Sequence, residues 1–411
     1  MRRLQPLRHA VRRVLSHWSA ERATLRQGVT ALTICITVTL FAGIILGRME
    51  GVLARTPGLL VLVPSAIGMR GAIFGALGAR LGTGMLTGQF TTDLRRGSFL
   101  ADNVEAALLV SLSTAALTGA LAAGTSALFG LDAVDVFQLV IVSSVGAVLS
   151  SAVVLAVTLV LARTAQARSW DMDAIGTPVI SATADISTLP ALLLGVMLLG
   201  SPVVHVALGG LLIVAAVAAT IYGLAHPNPL ARTIVRESTP VLCYAAVMGV
   251  LAGTVLETRL DTLIADPALL VAIPPFIASS GALGGILSAR LSSQLHTGLL
   301  QPERAPSGRA LLEGSMTVLL GLIGFTVVGL ATRVGAAVFR ISSPSTAALV
   351  AAVDIGGLLS IAVVFVVAYY AATASYRFGL DPDTSSIPIV TSSIDFLGIL
   401  CLVIGIAVVG L

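Results

Sequence analysis

Lysine is absent from the 411 residues, and charged residues of either sign make up only 11%. A water-soluble chain of this length needs far more charge to cover its surface, so a set of soluble domains is excluded. Histidine (5) and cysteine (3) are scarce as well. Cys35, Cys243 and Cys401 each sit inside an apolar run with no CxxC or Cys/His spacing, so neither a disulfide framework nor a zinc site organises the chain. The 24 basic residues are all arginine and sit in short connecting segments rather than in a patch, so a net charge of +4 carries no nucleic-acid signature. Neither a nucleic-acid partner nor a resident cofactor is expected.

What is present is apolar. Hydrophobic residues make up 56% of the chain and the mean hydropathy is +1.00. A spanning helix needs about 20 mostly apolar residues. Eleven such stretches can be read, at 28–47, 57–88, 105–129, 136–162, 176–199, 203–224, 238–256, 267–298, 311–338, 345–374 and 387–410. The expected fold is an all-α polytopic membrane protein of about eleven transmembrane helices, with lipid as its surroundings. The second and eighth stretches exceed one crossing and contain proline and several glycines, which predicts tilt or a break. With the N-terminus inside, eighteen arginines fall on the inner side. Five fall outside: Arg48, Arg55, Arg259, Arg333 and Arg340. That positive-inside bias places the chain in the cell (inner or plasma) membrane with a cytoplasmic N-terminus and an outer C-terminus.

The chain repeats itself. Residues 59–88 (LLVLVPSAIGMRGAIFGALGARLGTGMLTG) and 269–298 (LLVAIPPFIASSGALGGILSARLSSQLHTG) are identical at fourteen of 30 positions, at an offset of 210. The same offset superposes DMDAIGTPVISATADIS (171–187) on DPDTSSIPIVTSSIDFL (381–397). Shared apolar composition does not align prolines and acids in one register, so the chain carries a duplication. Each copy has five spans. The sixth, 203–224, returns the chain across the membrane, so the copies run parallel about a pseudo-two-fold along the membrane normal. The expected organisation is a basic amphipathic segment at 1–27, a first five-helix repeat at 28–200, a linking helix and loop at 201–236 and a second five-helix repeat at 237–411. In the first segment Leu4, Leu7, Val11, Val14, Leu15 and Trp18 draw one helical stripe beside Arg2, Arg3, Arg8, Arg12 and Arg13, the pattern of a helix lying on an anionic lipid face. Because the repeats mimic a dimer, a monomer suffices.

Only Asp185, Asp395 and Asp354 fall well inside predicted spans. An ionised carboxylate there costs a few kcal/mol at the least and marks an ion or proton path. Asp185 and Asp395 are repeat-equivalent, so the pseudo-symmetry can bring them face to face, and a divalent cation removes their repulsion. The competing reading is a separate structural acid in each span. Ser181 and Thr391 precede their aspartates by four residues, on the same helix face. Pro178 and Pro388 each free a carbonyl one turn earlier. Oxygen ligands without His or Cys suit Mg2+, with Mn2+ or another divalent as alternatives, and so few charges suit an ion that keeps its water. Asp171, Asp173, Asp381 and Asp383 stand at the cytoplasmic mouth of the same helices, either gathering cations or capping helix starts. Asp354 has Ser144 at its equivalent position and is the candidate for a coupling ion, Na+ or H+. Arg70, with Ser280 opposite, offers a fixed charge that offsets one of the negative ones. His205 and His296, near span ends, read as interfacial residues.

PSAIGMRGAIFGALGARLGT and PPFIASSGALGGILSARLSS, with DMDAIGTPVISATAD and DPDTSSIPIVTSSID, resemble the MgtE-like magnesium transporters, in the two-repeat branch that includes the eukaryotic solute-carrier magnesium transporters. The resemblance covers residues 28–410. It implies a transporter or channel rather than an enzyme, moving Mg2+ between the repeats with Asp185 and Asp395 binding the hydrated ion. Family members often show Gly-Asn where Gly71-Ala72 and Gly281-Ala282 stand here. Two alternatives are an exchanger coupled through Asp354 and, remotely, an intramembrane aspartyl protease. The latter needs Tyr-Asp and Gly-x-Gly-Asp settings, against Ala184-Asp185 and Ile394-Asp395 here.

Overall fold

The computed structural model describes residues 14–93, 95, 97–168, 172–199, 202–306, 308–378 and 387–411. Every regular element among them is helical. The helices are α1 (Arg22–Arg48), α2 (Glu50–Arg55), α3 (Leu59–Leu86), α4 (Phe99–Leu128), α5 (Val136–Arg168), α6 (Met172–Met197) and α7 (Pro202–Leu224). They continue with α8 (Pro229–Glu257), α9 (Leu260–Ala265), α10 (Ala268–His296), α11 (Gly308–Val338), α12 (Thr346–Phe378) and α13 (Ile387–Val409). Eleven of the described helices, all but α2 and α9, are long and apolar enough to cross a membrane. The protein is a multi-pass, all-α membrane protein.

The 210-residue offset pairs α1 with α8, α2 with α9 and so on to α6 with α13, leaving α7 as the link. The short helices α2 and α9 were not legible as spans, because six residues cannot cross a bilayer. Each turns the chain before the proline-containing helix. Gly58 makes the second turn possible before α3: it sits at φ +82°, a left-handed conformation that a side chain disfavours. Of the tilt or break expected in the two long proline-containing spans, the break is absent. α3 runs through Pro64, and α10 runs through Pro274 and Pro275, as continuous helices. The lost backbone bonds lie where neighbouring helices cover the backbone, which membrane helices tolerate.

The chain packs as two compact units, Phe41–Val271 and Met1–Leu40 with Ala272–Leu411. Neither boundary coincides with a repeat boundary, because each leading helix packs on the other repeat. In the first unit α8, which opens the second repeat, lies against α3 and α4 of the first. Gly249 meets Ser65, and Ser65 Oγ donates to Ala246 O over 3.5 Å. Gly253 sits so close to Val61 that a Cβ there would collide with the Val61 carbonyl, and a Cβ at Gly43 would collide with the Val271 carbonyl in the same way. These glycines and contacts are repeat-equivalent. In the second unit α1 lies against α11, with Gly28 on Leu320 and Gly324 on Leu32. Lipid offers no hydrophobic drive for helices to associate, so small residues that let backbones approach select the partner.

The amino-terminal residues 14–20 are helical. Trp18, assigned above to a lipid-facing stripe, instead donates its indole N–H to Ser315 Oγ at 3.1 Å on α11. Leu4, Leu7 and Val11 lie outside the described residues.

Candidate transport site

In the first unit, α6 carries Ser181 and Asp185 one turn apart, both half-buried, while Ile180, Ala184 and Thr188 form its buried face. α6 packs on α3 and α5. The part of α3 that faces Ser181 is bare: a Cβ at Gly71 would lie 3.9 Å from Ser181 Oγ. In the second unit, α13 repeats the arrangement. Thr391 and Asp395 are half-buried, and Val390 and Ile394 are fully buried behind them. A Cβ at Gly281 on α10 would lie 3.8 Å from Asp395 Oδ1. In each unit, then, an oxygen-bearing face of the last helix meets the equivalent glycine of the proline-containing helix. Intermediate burial leaves these oxygens neither sealed in apolar packing nor fully open, as an ion path requires.

Pro178 and Pro388 lie within α6 and α13, but their side chains, like that of Asp173, lie outside the described residues. Asp171, Asp381 and Asp383 lie outside them altogether. No group of three or more His, Cys, Asp or Glu residues that could hold a metal occurs among the described residues.

Asp354 on α12 is half-buried and accepts a 3.0 Å hydrogen bond from Thr326 Oγ1 on α11. The equivalent pair in the first repeat is Ser144 and Ala116, and the buried Ser144 hydroxyl has no hydrogen-bond partner. Arg70 on α3 is buried, and its Nη1 donates to Ser111 Oγ on α4 and, at 3.1 Å, to Ser151 Oγ on α5. It makes no ion pair among the described residues, so the offsetting role proposed for it gains no contact here. His205 is buried with Nδ1 at 2.9 Å from Gln138 Nε2. His296 holds its own backbone through Ser292 O and stacks edge-on to Tyr376 at 5.2 Å.

Three buried acids outside this site were not singled out from the sequence. Glu257, at the end of α8, accepts from Gly58 N at 2.8 Å and so caps α3. Asp102 takes Asn228 Nδ2 at 2.6 Å. Glu313 binds Arg290 through both oxygens, at 2.6 and 3.1 Å. Each lies near the end of an apolar stretch, where hydropathy alone reads an acid as a solvated terminus. The usable signal was the duplication: position 313 corresponds to Asn103, opposite equivalent arginines Arg290 and Arg80.

The family model for MgtE, described as a divalent cation transporter, matches residues 63–195 and again 273–405. This chain belongs to the MgtE divalent cation transporter family. The two matched segments stand at the 210-residue offset of the repeat, and each ends shortly after its Asp185 or Asp395 helix face. As an MgtE-family member the protein is a transporter of divalent cations and not an enzyme, which disposes of the intramembrane protease. It is also 24% identical over 396 residues to "Solute carrier family 41 member 2" of Xenopus laevis, covering 88% of this chain and 67% of that one. No solved structure matches.

Proposed function

We propose that this MgtE-family transporter moves Mg2+ through a path between its two repeats, with Asp185 and Asp395 holding the largely hydrated ion. The observation that carries this reading is the matched pair of faces: Ser181 before Gly71 in one unit, Asp395 before Gly281 in the other. A side chain at either glycine would fill the space that a hydrated ion needs. Mg2+ gives up its water reluctantly and binds through one or two carboxylates, which fits one aspartate per repeat without a dedicated cage. Ser181 and Thr391 supply hydroxyl oxygens that a water shell can bond. A cation between the carboxylates keeps both ionised, and in its absence their repulsion drives one to take a proton. Asp171, Asp173, Asp381 and Asp383 concentrate cations at the mouth. That mouth lies on the cytoplasmic side of the cell membrane, a reading the arginine distribution supports, and the pseudo-dimer works as a monomer built from its two repeats and their link.

Proteoliposome uptake of Mg2+ by Asp185→Asn and Asp395→Asn tests this. Each single variant is expected to lose at least tenfold in uptake, and either variant retaining full uptake contradicts the assignment.

A second reading rests on the Thr326–Asp354 pair, which has no counterpart in the first repeat. There Asp354 takes a coupling Na+ or H+, and Mg2+ or another solute is exchanged against it. Uptake that requires a Na+ or proton gradient in the wild type, and loses that requirement in Asp354→Asn, supports exchange. Uptake indifferent to both gradients removes it.

A further inference from the structure

Over α1 and the equivalent stretch that begins in α8, 22–48 against 232–258, the two repeats share only six residues. Four of them are packing residues: Leu32/Leu242, Ala42/Ala252, Gly43/Gly253 and Leu46/Leu256 are all buried. The other two are Arg22/Arg232 and Arg26/Arg236, and packing does not account for them. Arg22, Arg26 and Arg236 are exposed and Arg232 is half-buried. None of the four makes an ion pair among the described residues. Four residues apart on a helix, the two arginines of each pair stand on one face with Cβ atoms about 5–6 Å apart, and like charges so placed repel. The acids around these helix starts are committed elsewhere. Glu21 Oε2 lies 3.3 Å from Arg290 Nη2 and accepts from Thr24 at 2.8 Å, which docks the amino-terminal segment on α10. Asp102 and Glu105 take Asn228 and His226, and the charge of Arg80 acts on Glu237. Arg236 is held further, its Nε donating to Leu224 O at the end of α7 over 3.2 Å.

We propose that each arginine pair holds the phosphate of one anionic phospholipid, giving the chain two headgroup sites, one in each compact unit. Each pair stands immediately before its apolar stretch, 28–47 or 238–256, where a spanning helix enters the headgroup layer. A guanidinium presents a planar fork that matches two phosphate oxygens. Two forks around one phosphate turn the repulsion within the pair into attraction. A site with two positive charges favours a headgroup without an ammonium group, because phosphatidylcholine carries its own cation. Orienting a membrane protein needs only positive charge on one side, and does not require the same two positions twice. Lipid bound at these positions anchors each leading helix to the leaflet. The proposal is independent of the transport path.

Native mass spectrometry of the delipidated chain with added phosphatidylglycerol, phosphatidylcholine or inorganic phosphate tests this. The wild type is expected to retain two phosphatidylglycerol molecules under conditions where phosphatidylcholine and phosphate are lost. Arg22→Gln with Arg26→Gln, or Arg232→Gln with Arg236→Gln, is expected to retain one, and the variant with all four substitutions none. The matching lysine variants keep every charge, and with it the orientation of the chain, but lose the fork. They are expected to bind phosphatidylglycerol at least fivefold more weakly than wild type. Equal retention of phosphatidylglycerol and phosphatidylcholine, or two lipids kept by the four-glutamine variant, overturns the sites. Lysine variants equal to wild type overturn them too, leaving surface charge alone. Inorganic phosphate held as firmly as phosphatidylglycerol overturns the lipid as occupant.

Discussion

Gly253→Ala adds one methyl group where α8 crosses α3, and the outcome can be worked from the contacts. The new Cβ would stand 2.6 Å from both Val61 C and Val61 Cα, with the Val61 carbonyl oxygen nearer still. Ordinary carbon contacts lie at about 3.5–4.0 Å, so the helices must part by roughly 1 Å. Backbone cannot turn aside as a side chain can, and the shift also opens the Gly249–Ser65 contact one turn away. Overpacking of this kind costs about 1–3 kcal/mol. For a body of 150–250 residues each kcal/mol moves the thermal midpoint by about 2–4 °C. Gly124→Ala is the control: it lies in α4 of the same unit, and a Cβ there meets nothing within 4 Å. Alanine there gains roughly 0.5–1 kcal/mol of helix preference. Fluorescence-detected size exclusion after graded heating in detergent reads both. The expected result is a lower midpoint for Gly253→Ala and for its counterpart Gly43→Ala, and an unchanged or higher one for Gly124→Ala. Equal midpoints for Gly253→Ala and Gly124→Ala would refute the backbone-to-backbone crossing and the exchange of leading helices built on it.

Glu257→Ala leaves the buried Gly58 N–H without its acceptor and is expected to cost about 1–3 kcal/mol, whereas Glu257→Gln keeps an acceptor and loses only the charge–dipole contribution, about 0.3–1 kcal/mol. Equal loss of midpoint in the two variants would contradict the cap. Arg70→Met removes a buried charge while Ser111 and Ser151 keep their own 2.8 Å hydrogen bond. Its thermal midpoint is expected at or above wild type, and a large drop would reveal an anion paired with Arg70. The hydrogen bond from Thr24, then Arg290, draws the Glu21 carboxyl below its ordinary range. A carboxyl lowered in this way stabilises the docked segment above the ordinary glutamate range and loses that effect as pH falls through its own lowered value. Faster exchange at residues 14–21 in Glu21→Gln than in wild type is therefore expected at pH 7, and the two should converge only in acid below the ordinary range. Convergence already at pH 6 would contradict the contact.

Much of this was readable in the sequence because hydropathy and repetition report directly on lipid exposure and duplication. The eleven spans, the 210-residue register and the link at α7 follow from apolar length and aligned prolines and acids. The exchange of α1 and α8 was not readable. Two equivalent repeats offer each leading helix two equivalent partners, and apolar composition says nothing about which is taken. The trace it left was small: Gly43 and Gly253 at one register. Between the tilt and the break that the prolines of α3 and α10 offered, the sequence could not choose, because proline removes a backbone bond locally, whereas packing against α8 and α1 respectively bears on whether the helix continues. Glu257 and Glu313 escaped notice for a related reason. They lie at span ends, where an acid is ordinarily solvated, and only tertiary contact buries them.

The central claim is that one Mg2+ is held by Asp185 together with Asp395. Isothermal titration of Mg2+ into the purified chain, wild type against the Asp185→Asn, Asp395→Asn double variant, tests it most directly. The account predicts a saturable site in the wild type that vanishes in a double variant still monodisperse on size exclusion. A double variant that binds Mg2+ with wild-type stoichiometry and affinity would contradict it.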